Sequence, residues 1–171
     1  MKLETIVESK RLRILDFDDT LVKSNSRVIL NKTKFLTPAQ FAVYVPMEGD
    51  TFDFSEFSKL IDPKEIKHIV REFQLMIAAA SAGHSRVEIL TARNTPEPVN
   101  SWLENMGIRK IPVKALANAD PKAKADYIEK KILDGFDDIV FFDDSINNIR
   151  AVETLQKKYP KIKIRTRHVK I

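Results

Sequence analysis

Short apolar runs and amphipathic stretches alternate along the chain from about residue 11 onward, and helix caps mark most of the changes from one to the other. Residues 11–17 (RLRILDF) read as a first strand, 86–90 (RVEIL) as a second, 111–116 as a third, 138–142 (DIVFF) as a fourth and 161–166 as a fifth. Segments of helical period lie between them. Asp62-Pro63 supplies an N-cap and a first-turn proline for a helix with Ile66, Ile69, Val70, Phe73, Met76, Ile77 and Ala80 on its apolar face, closed by Gly83. Thr95-Pro96 opens a second helix, with Val99, Trp102, Leu103 and Met106 on one face and Gly107 at its end. Asp120-Pro121 caps a third, and Ser145 caps a fourth that runs to about Lys158.

This alternation predicts an α/β fold, a Rossmann-like three-layer α/β/α sandwich with a mostly parallel sheet and right-handed crossovers. In such folds ligands bind beyond the carboxyl ends of the strands. Residues 22–61 interrupt the pattern: they are richer in Phe and Tyr and carry turn signals at Thr37-Pro38 and Glu48-Gly49-Asp50. They read as an insert after the first strand, long enough for a small cap or flap. With no repeat, low-complexity tract or linker, residues 1–171 are expected to form a single domain carrying that insert.

Composition narrows the chemistry. At 171 residues, 43% hydrophobic and 31% charged, the chain has the proportions of an ordinary globular domain, and it can bury roughly 70% of its unfolded surface without a covalent staple. It has no Cys, which excludes disulfides, a thiolate nucleophile and zinc held by sulfur, and His68, His84 and His168 lack ligand spacing. The first residues mix Lys, Glu and apolar side chains without a signal-peptide core, and no window approaches the ~18 apolar residues of a membrane span. The expectation is a cytoplasmic protein with no membrane partner and no obligate protein partner. Net charge is +5, but the seven Lys and Arg from Lys157 onward, with no acid among them, leave the rest of the chain at −2. Such an end can attract a polyanion; its strict alternation also fits a strand with one solvated face.

The residues that follow the strands are distinctive when taken together. The first strand leads into Asp16-Phe17-Asp18-Asp19-Thr20-Leu21, the second into Thr91-Ala92-Arg93, and the fourth into Asp143-Asp144-Ser145, while Lys122 and Lys124 open the helix between. Crowded carboxylates are costly unless a cation joins them. Asp16, Asp18, Asp143 and Asp144, all oxygen donors, imply a hard divalent ion, for which Mg²⁺ is the natural choice. A metal, a Thr hydroxyl and a Lys ammonium together make a receptacle for a phosphoryl group.

DFDDTL, the Thr of ILTAR, a Lys opening a helix, and FFDDS resemble, in that order, the four motifs of the haloacid dehalogenase (HAD) superfamily, dispersed over residues 12–148. The resemblance implies a Rossmann-like core and Mg²⁺-dependent hydrolysis of phosphate monoesters; members that dehalogenate lack the second aspartate of the first motif, present here as Asp18. It further implies that Asp16 is the nucleophile that becomes an aspartyl-phosphate, that Asp18 is the acid/base, and that Thr91 binds a phosphoryl oxygen. A spacing of two lets both carboxylates leave the strand on one side. The phosphate-contacting lysine is Lys122 or Lys124, with Lys124 favoured because Ile128 four residues on supplies an apolar helix face. Thr20, Ala92 and Arg93 are expected around the phosphate beside Thr91 and Lys124. The implied metal set is Asp16, the backbone carbonyl of Asp18 and an acid of the last motif, with Asp144 favoured as direct ligand over Asp143. Asn148 stands where many members have another acid.

Receiver domains of signalling systems also combine aspartates, Thr or Ser, Lys and Mg²⁺, but their acidic pair comes first, whereas here the second pair follows the lysine. A phospho-acceptor or binding-only module is thus the lesser alternative. No cap fits between Thr91 and Lys124, so the site is expected to be open. The paired acids of the last motif and the small cap are similar to polynucleotide 3′-phosphatase domains and small phage or bacterial members. The expected substrate is therefore a phosphate monoester, either a nucleotide or polynucleotide phosphate or a small metabolite. The insert aromatics Phe35, Phe41, Tyr44, Phe52, Phe54 and Phe57 are expected to pack on one another rather than stack bases.

Overall fold

The computed structural model describes residues 9–80, 85–108 and 110–170. Its elements are β1 (Arg11–Leu15), β2 (Val22–Lys23), β3 (Val28–Leu30), β4 (Lys34–Leu36), α1 (Pro38–Ala42), β5 (Phe52–Asp53), a 3₁₀ turn (Ser55–Ser58), β6 (Lys64–Glu65), α2 (Lys67–Ala80), β7 (Ser85–Thr91), α3 (Glu97–Asn105), β8 (Val113–Ala115), α4 (Pro121–Leu133), β9 (Asp138–Asp143), α5 (Ile146–Lys158) and β10 (Lys163–His168).

Five of the strands form one parallel sheet in the order β10-β9-β1-β7-β8, so the fold is the expected α/β class. Alternation along β1 sends its side chains to two faces. Leu12 and Ile14 pack with Ile128 and Ile132 of α4 and Ile149 and Val152 of α5, whereas Leu15 and the following Phe17 pack with Phe73 of α2 and Trp102 of α3. Three layers result, and the carboxyl ends of all five strands point to one rim.

The caps act mostly as their sequences predict. Asp120 accepts from Lys122 N at 2.9 Å to start α4, and Ser145 accepts from Asn148 N at 3.4 Å to start α5. Gly107, at φ +67°, ends α3 with Ile108 N reaching back to Leu103 O. Two starts differ from expectation: α3 has Pro96 rather than Thr95 at its N-cap and no side-chain cap bond, and α2 begins later than its cap signal. Asp62-Pro63 does not cap α2: Asp62 has φ +44°, residues 64 and 65 form β6 against β2, and the Ile66 carbonyl accepts the first helical bonds from Ile69 and Val70. Pairing with the chain that leaves β1 outweighs the local cap signal. The expected closure at Gly83 lies outside the described residues, as do His84 and residues 1–8.

The excursion expected over 22–61 is joined at its neck by the β2–β6 ladder and carries its own antiparallel sheet, β4-β3-β5. Val28, Leu30 and Leu36 form its buried centre, with Phe41, Tyr44, Phe52 and Phe57 packed against them. Phe41 meets Phe52 and Phe54 edge-on, so much of the aromatic content serves the insert's own packing. Among the described residues, no helix is long and apolar enough to cross a membrane.

Candidate active site

Asp16 follows β1, and its amide still donates to Phe142 O at 2.9 Å, which holds it beside the end of β9. The chain then turns sharply. The Phe17 carbonyl accepts from the amides of Thr20, Leu21 and Val22, and Asp19 takes φ +58°, a left-handed conformation that Asp tolerates better than most side chains. The turn returns Thr20 to the cluster, its Oγ1 3.1 Å from Asp16 Oδ2 and 3.4 Å from Asp144 Oδ1. Its single hydroxyl proton serves one of them at a time.

Lys124 enters from the first turn of α4. Its Nζ lies 2.7 Å from Asp16 Oδ1 and 2.7 Å from Asp143 Oδ2, and its side chain is 3% exposed. Helix phase separates the two candidate lysines: Lys124 shares its face with fully buried Ile128, whereas Lys122 is exposed and pairs with Asp126. At the end of β9, Asp143 Oδ1 accepts from Ser145 N at 2.8 Å, and Asp143 Oδ2 accepts from Lys124 and from Asn148 Nδ2 at 3.0 Å. Asn148, standing in place of an acid, thus orients Asp143. Asp144 is less enclosed, and His168 Nε2 lies 2.8 Å from its carbonyl oxygen. A carbonyl only accepts, so that ring nitrogen carries the proton.

Oxygens of Asp16, Asp143 and Asp144 lie within 4.8 Å of one another. Burial pushes the Asp16 carboxyl well above its ordinary pKa, and Asp143 pushes further, with Lys124 opposing. Burial and then Asp143 raise Asp144 to about 6. Lys124 is disfavoured by burial, but Asp143 and Asp16 outweigh this and hold its ammonium above the ordinary lysine range. One buried cation therefore faces three carboxylates and does not balance them. A hard divalent ion fits this surplus and this all-oxygen donor set.

The other expected residues lie along the end of β7. Thr91 is buried, and its Oγ1 accepts from Arg93 N at 3.2 Å; partly buried Ala92 sits between them. Asp18 turns its carboxylate away from the three-acid group toward Arg93, whose Nε and Nη2 reach Asp18 Oδ2 and Oδ1 at 2.8 and 2.7 Å. Arg93 Nη1 also donates to Phe57 O at 2.7 Å and Lys59 O at 2.8 Å. The Arg93 side chain, expected around the phosphate, is 1% exposed and is held by Asp18 and by these two insert carbonyls. Sequence patterns also missed His168, whose partner is a backbone oxygen and so leaves no side-chain signature.

No family model matches the chain, and no curated protein matches it. Among solved structures it is similar to the HAD domain of effector protein Lem4 from Legionella pneumophila, with TM-score 0.55 and 14% identity over 95% of this chain and 87% of that one. The likeness is one of fold. The molecule therefore has a HAD-like fold, with an acidic cluster suited to a metal at the carboxyl ends of its strands.

Proposed function

We propose that the protein is a Mg²⁺-dependent phosphomonoesterase that works through an aspartyl-phosphate on Asp16. The observation that carries this reading is Lys124 Nζ at 2.7 Å from both Asp16 and Asp143, a buried cation that joins the ends of two strands at the expected position. Asp16, Asp144 and the Asp18 carbonyl would hold Mg²⁺, and Asp143 would orient Lys124 and the loop at Ser145. When bound, the ion supplies positive charge that lets a phosphate dianion approach a carboxylate.

An Asp16 oxygen attacks phosphorus while the ester P–O bond breaks. The leaving oxygen keeps the bonding pair and takes a proton from Asp18. A water then attacks phosphorus, delivers a proton to Asp18, and the P–O bond to Asp16 breaks to restore the carboxylate and release phosphate. Lys124 favours the anionic form of Asp16 against burial and Asp143, and its ammonium would face the phosphoryl oxygens. The Thr91 hydroxyl accepts from Arg93 N, so its own proton remains to donate to a phosphoryl oxygen.

The substrate class is a phosphate monoester. A polynucleotide end was one candidate because of the basic C-terminus, but Arg165 pairs with Asp138 at 2.9 Å and Arg167 with Glu72 at 3.0 Å, which reduces the charge that strand offers a polyanion. The test is Mg²⁺-dependent phosphate release from an aryl phosphate, a metabolite panel and a 3′-phosphorylated oligonucleotide, with Asp16→Asn as blank. Release with wild type and none with Asp16→Asn is expected. A phosphorylated protein without turnover would instead support a phospho-acceptor, and equal activity of Asp16→Asn would remove the nucleophile.

A further inference from the structure

We propose that Arg93 is a positioning residue that clasps Asp18 to the insert, so that the seating of residues 55–59 sets where the acid/base carboxylate stands. This rests on the phosphomonoesterase reading for the role of Asp18 and goes beyond it in linking that role to the insert.

Four contacts make the clasp. One edge of the guanidinium takes both oxygens of Asp18, and Nη1 takes the carbonyls of Phe57 and Lys59 where the 3₁₀ turn ends. The end of such a turn presents carbonyls without internal partners, and a planar, five-donor guanidinium can satisfy two of them while gripping a carboxylate. The rings of Phe17 and Phe57 lie 5.8 and 5.4 Å from the guanidinium carbon, one from the catalytic loop and one from the insert. The turn is itself fastened to the insert: Glu56 accepts from Arg27 N at 2.6 Å and pairs with Arg27 Nη2 at 3.1 Å, and Ser26 donates to Glu56 O at 3.3 Å. Arg93 N also holds Thr91 Oγ1. One residue therefore ties together the insert, the acid/base carboxylate and a phosphate-facing hydroxyl.

The chemistry gives the clasp a consequence. A guanidinium only donates, so Asp18 keeps both contacts only as an acceptor through both oxygens. To carry a proton to a leaving oxygen, Asp18 must release at least one of them. Displacement of the Phe57 and Lys59 carbonyls shifts Arg93 and with it Asp18. The insert thus governs the proton-donating step, which matters most for leaving groups that depart poorly as anions.

Arg93→Lys keeps the charge but cannot make four contacts. Phosphate release from an alkyl phosphate is expected to fall about tenfold or more, with a much smaller loss on p-nitrophenyl phosphate, whose leaving oxygen needs no proton. Glu56→Ala, in the insert, should shift the ratio of the two rates in the same direction. Independently of activity, Asp18→Asn should speed amide hydrogen exchange at Phe57 and Lys59. An equal loss on both esters, or exchange unchanged by Asp18→Asn, overturns the clasp. If wild type releases phosphate from neither ester nor from any substrate of the wider panel, the phosphomonoesterase reading falls, and the exchange measurement alone then decides whether Asp18 and the insert are coupled.

Discussion

Lys124 is a buried ammonium whose two partners are both buried carboxylates, so its removal leaves like charges facing each other in a poorly hydrated place. Lys124→Met should lower stability by about 3 kcal/mol and abolish phosphate release, read from urea unfolding and from turnover. Lys122→Ala, at an exposed helix pair, should do neither. Asp16→Asn reverses the stability argument while keeping the functional one. The buried Asp16 carboxyl is already held above its ordinary pKa by desolvation and by Asp143, so removing its charge should leave the melting temperature equal or higher while turnover is lost. A variant that melts far below wild type would mean that the Asp16–Lys124 pair supports the fold more than crowding strains it. His168 shows what a residue-level reading of sequence cannot find: it reaches the site through the carbonyl of Asp144, and any residue type offers a carbonyl.

At the scale of elements, the loop that carries Asp16 and Asp18 rests on an aromatic layer. Phe17, between Asp16 and Asp18, is fully buried and meets Trp102 of α3 edge-on at 5.5 Å, and Trp102 stacks on Phe73 of α2 at 6.4 Å. Phe73→Ala should cost about 3–5 kcal/mol in urea unfolding, as truncation of a fully buried ring does. Phe17→Ala should cost a similar amount and also release the loop, so its phosphate release should fall further than loss of folded protein explains; equal activity per folded molecule in both variants would detach the loop from this layer. These helices and strands were legible because their apolar periods, caps and glycines are local signals. Three of the four groups of candidate site residues were legible because they sit at the carboxyl ends of strands, and in the fourth, at the start of α4, Lys124 was separable from Lys122 by helix phase with Ile128. The start of α2 was not legible, because it depends on β6 pairing with a two-residue strand more than 40 positions earlier. Nor was the role of Arg93, since the insert meets it with backbone carbonyls from residues 57 and 59.

Across the whole molecule, the three-acid cluster is a charge imbalance enclosed by an α/β scaffold, so stability is expected to depend on pH and, through the proposed metal site, on Mg²⁺. A carboxyl raised from 3.8 to about 6, as Asp144 is, binds a proton in the folded protein at pH values where the unfolded chain has lost it. Stability therefore falls as pH rises through this window, by an amount on the order of 3 kcal/mol for a shift of this size. Asp16 is raised as well and adds to the same trend. Mg²⁺ bound as proposed would favour the ionised, folded form, and saturation at about a hundred times its dissociation constant would contribute about 2.7 kcal/mol. Without Mg²⁺ the melting temperature should thus decline between about pH 4 and pH 6.5, and added Mg²⁺ should raise it strongly at pH 7.5 and little at pH 4.5. Asp144→Asn should both flatten the decline and remove most of the Mg²⁺-dependent rise, because the same carboxylate is the source of the strain and a proposed ligand of the ion. If Mg²⁺ raises the melting temperature equally at both pH values, or if Asp144→Asn keeps the full rise, the ion is bound elsewhere and the three-acid cluster is held together by Lys124 alone.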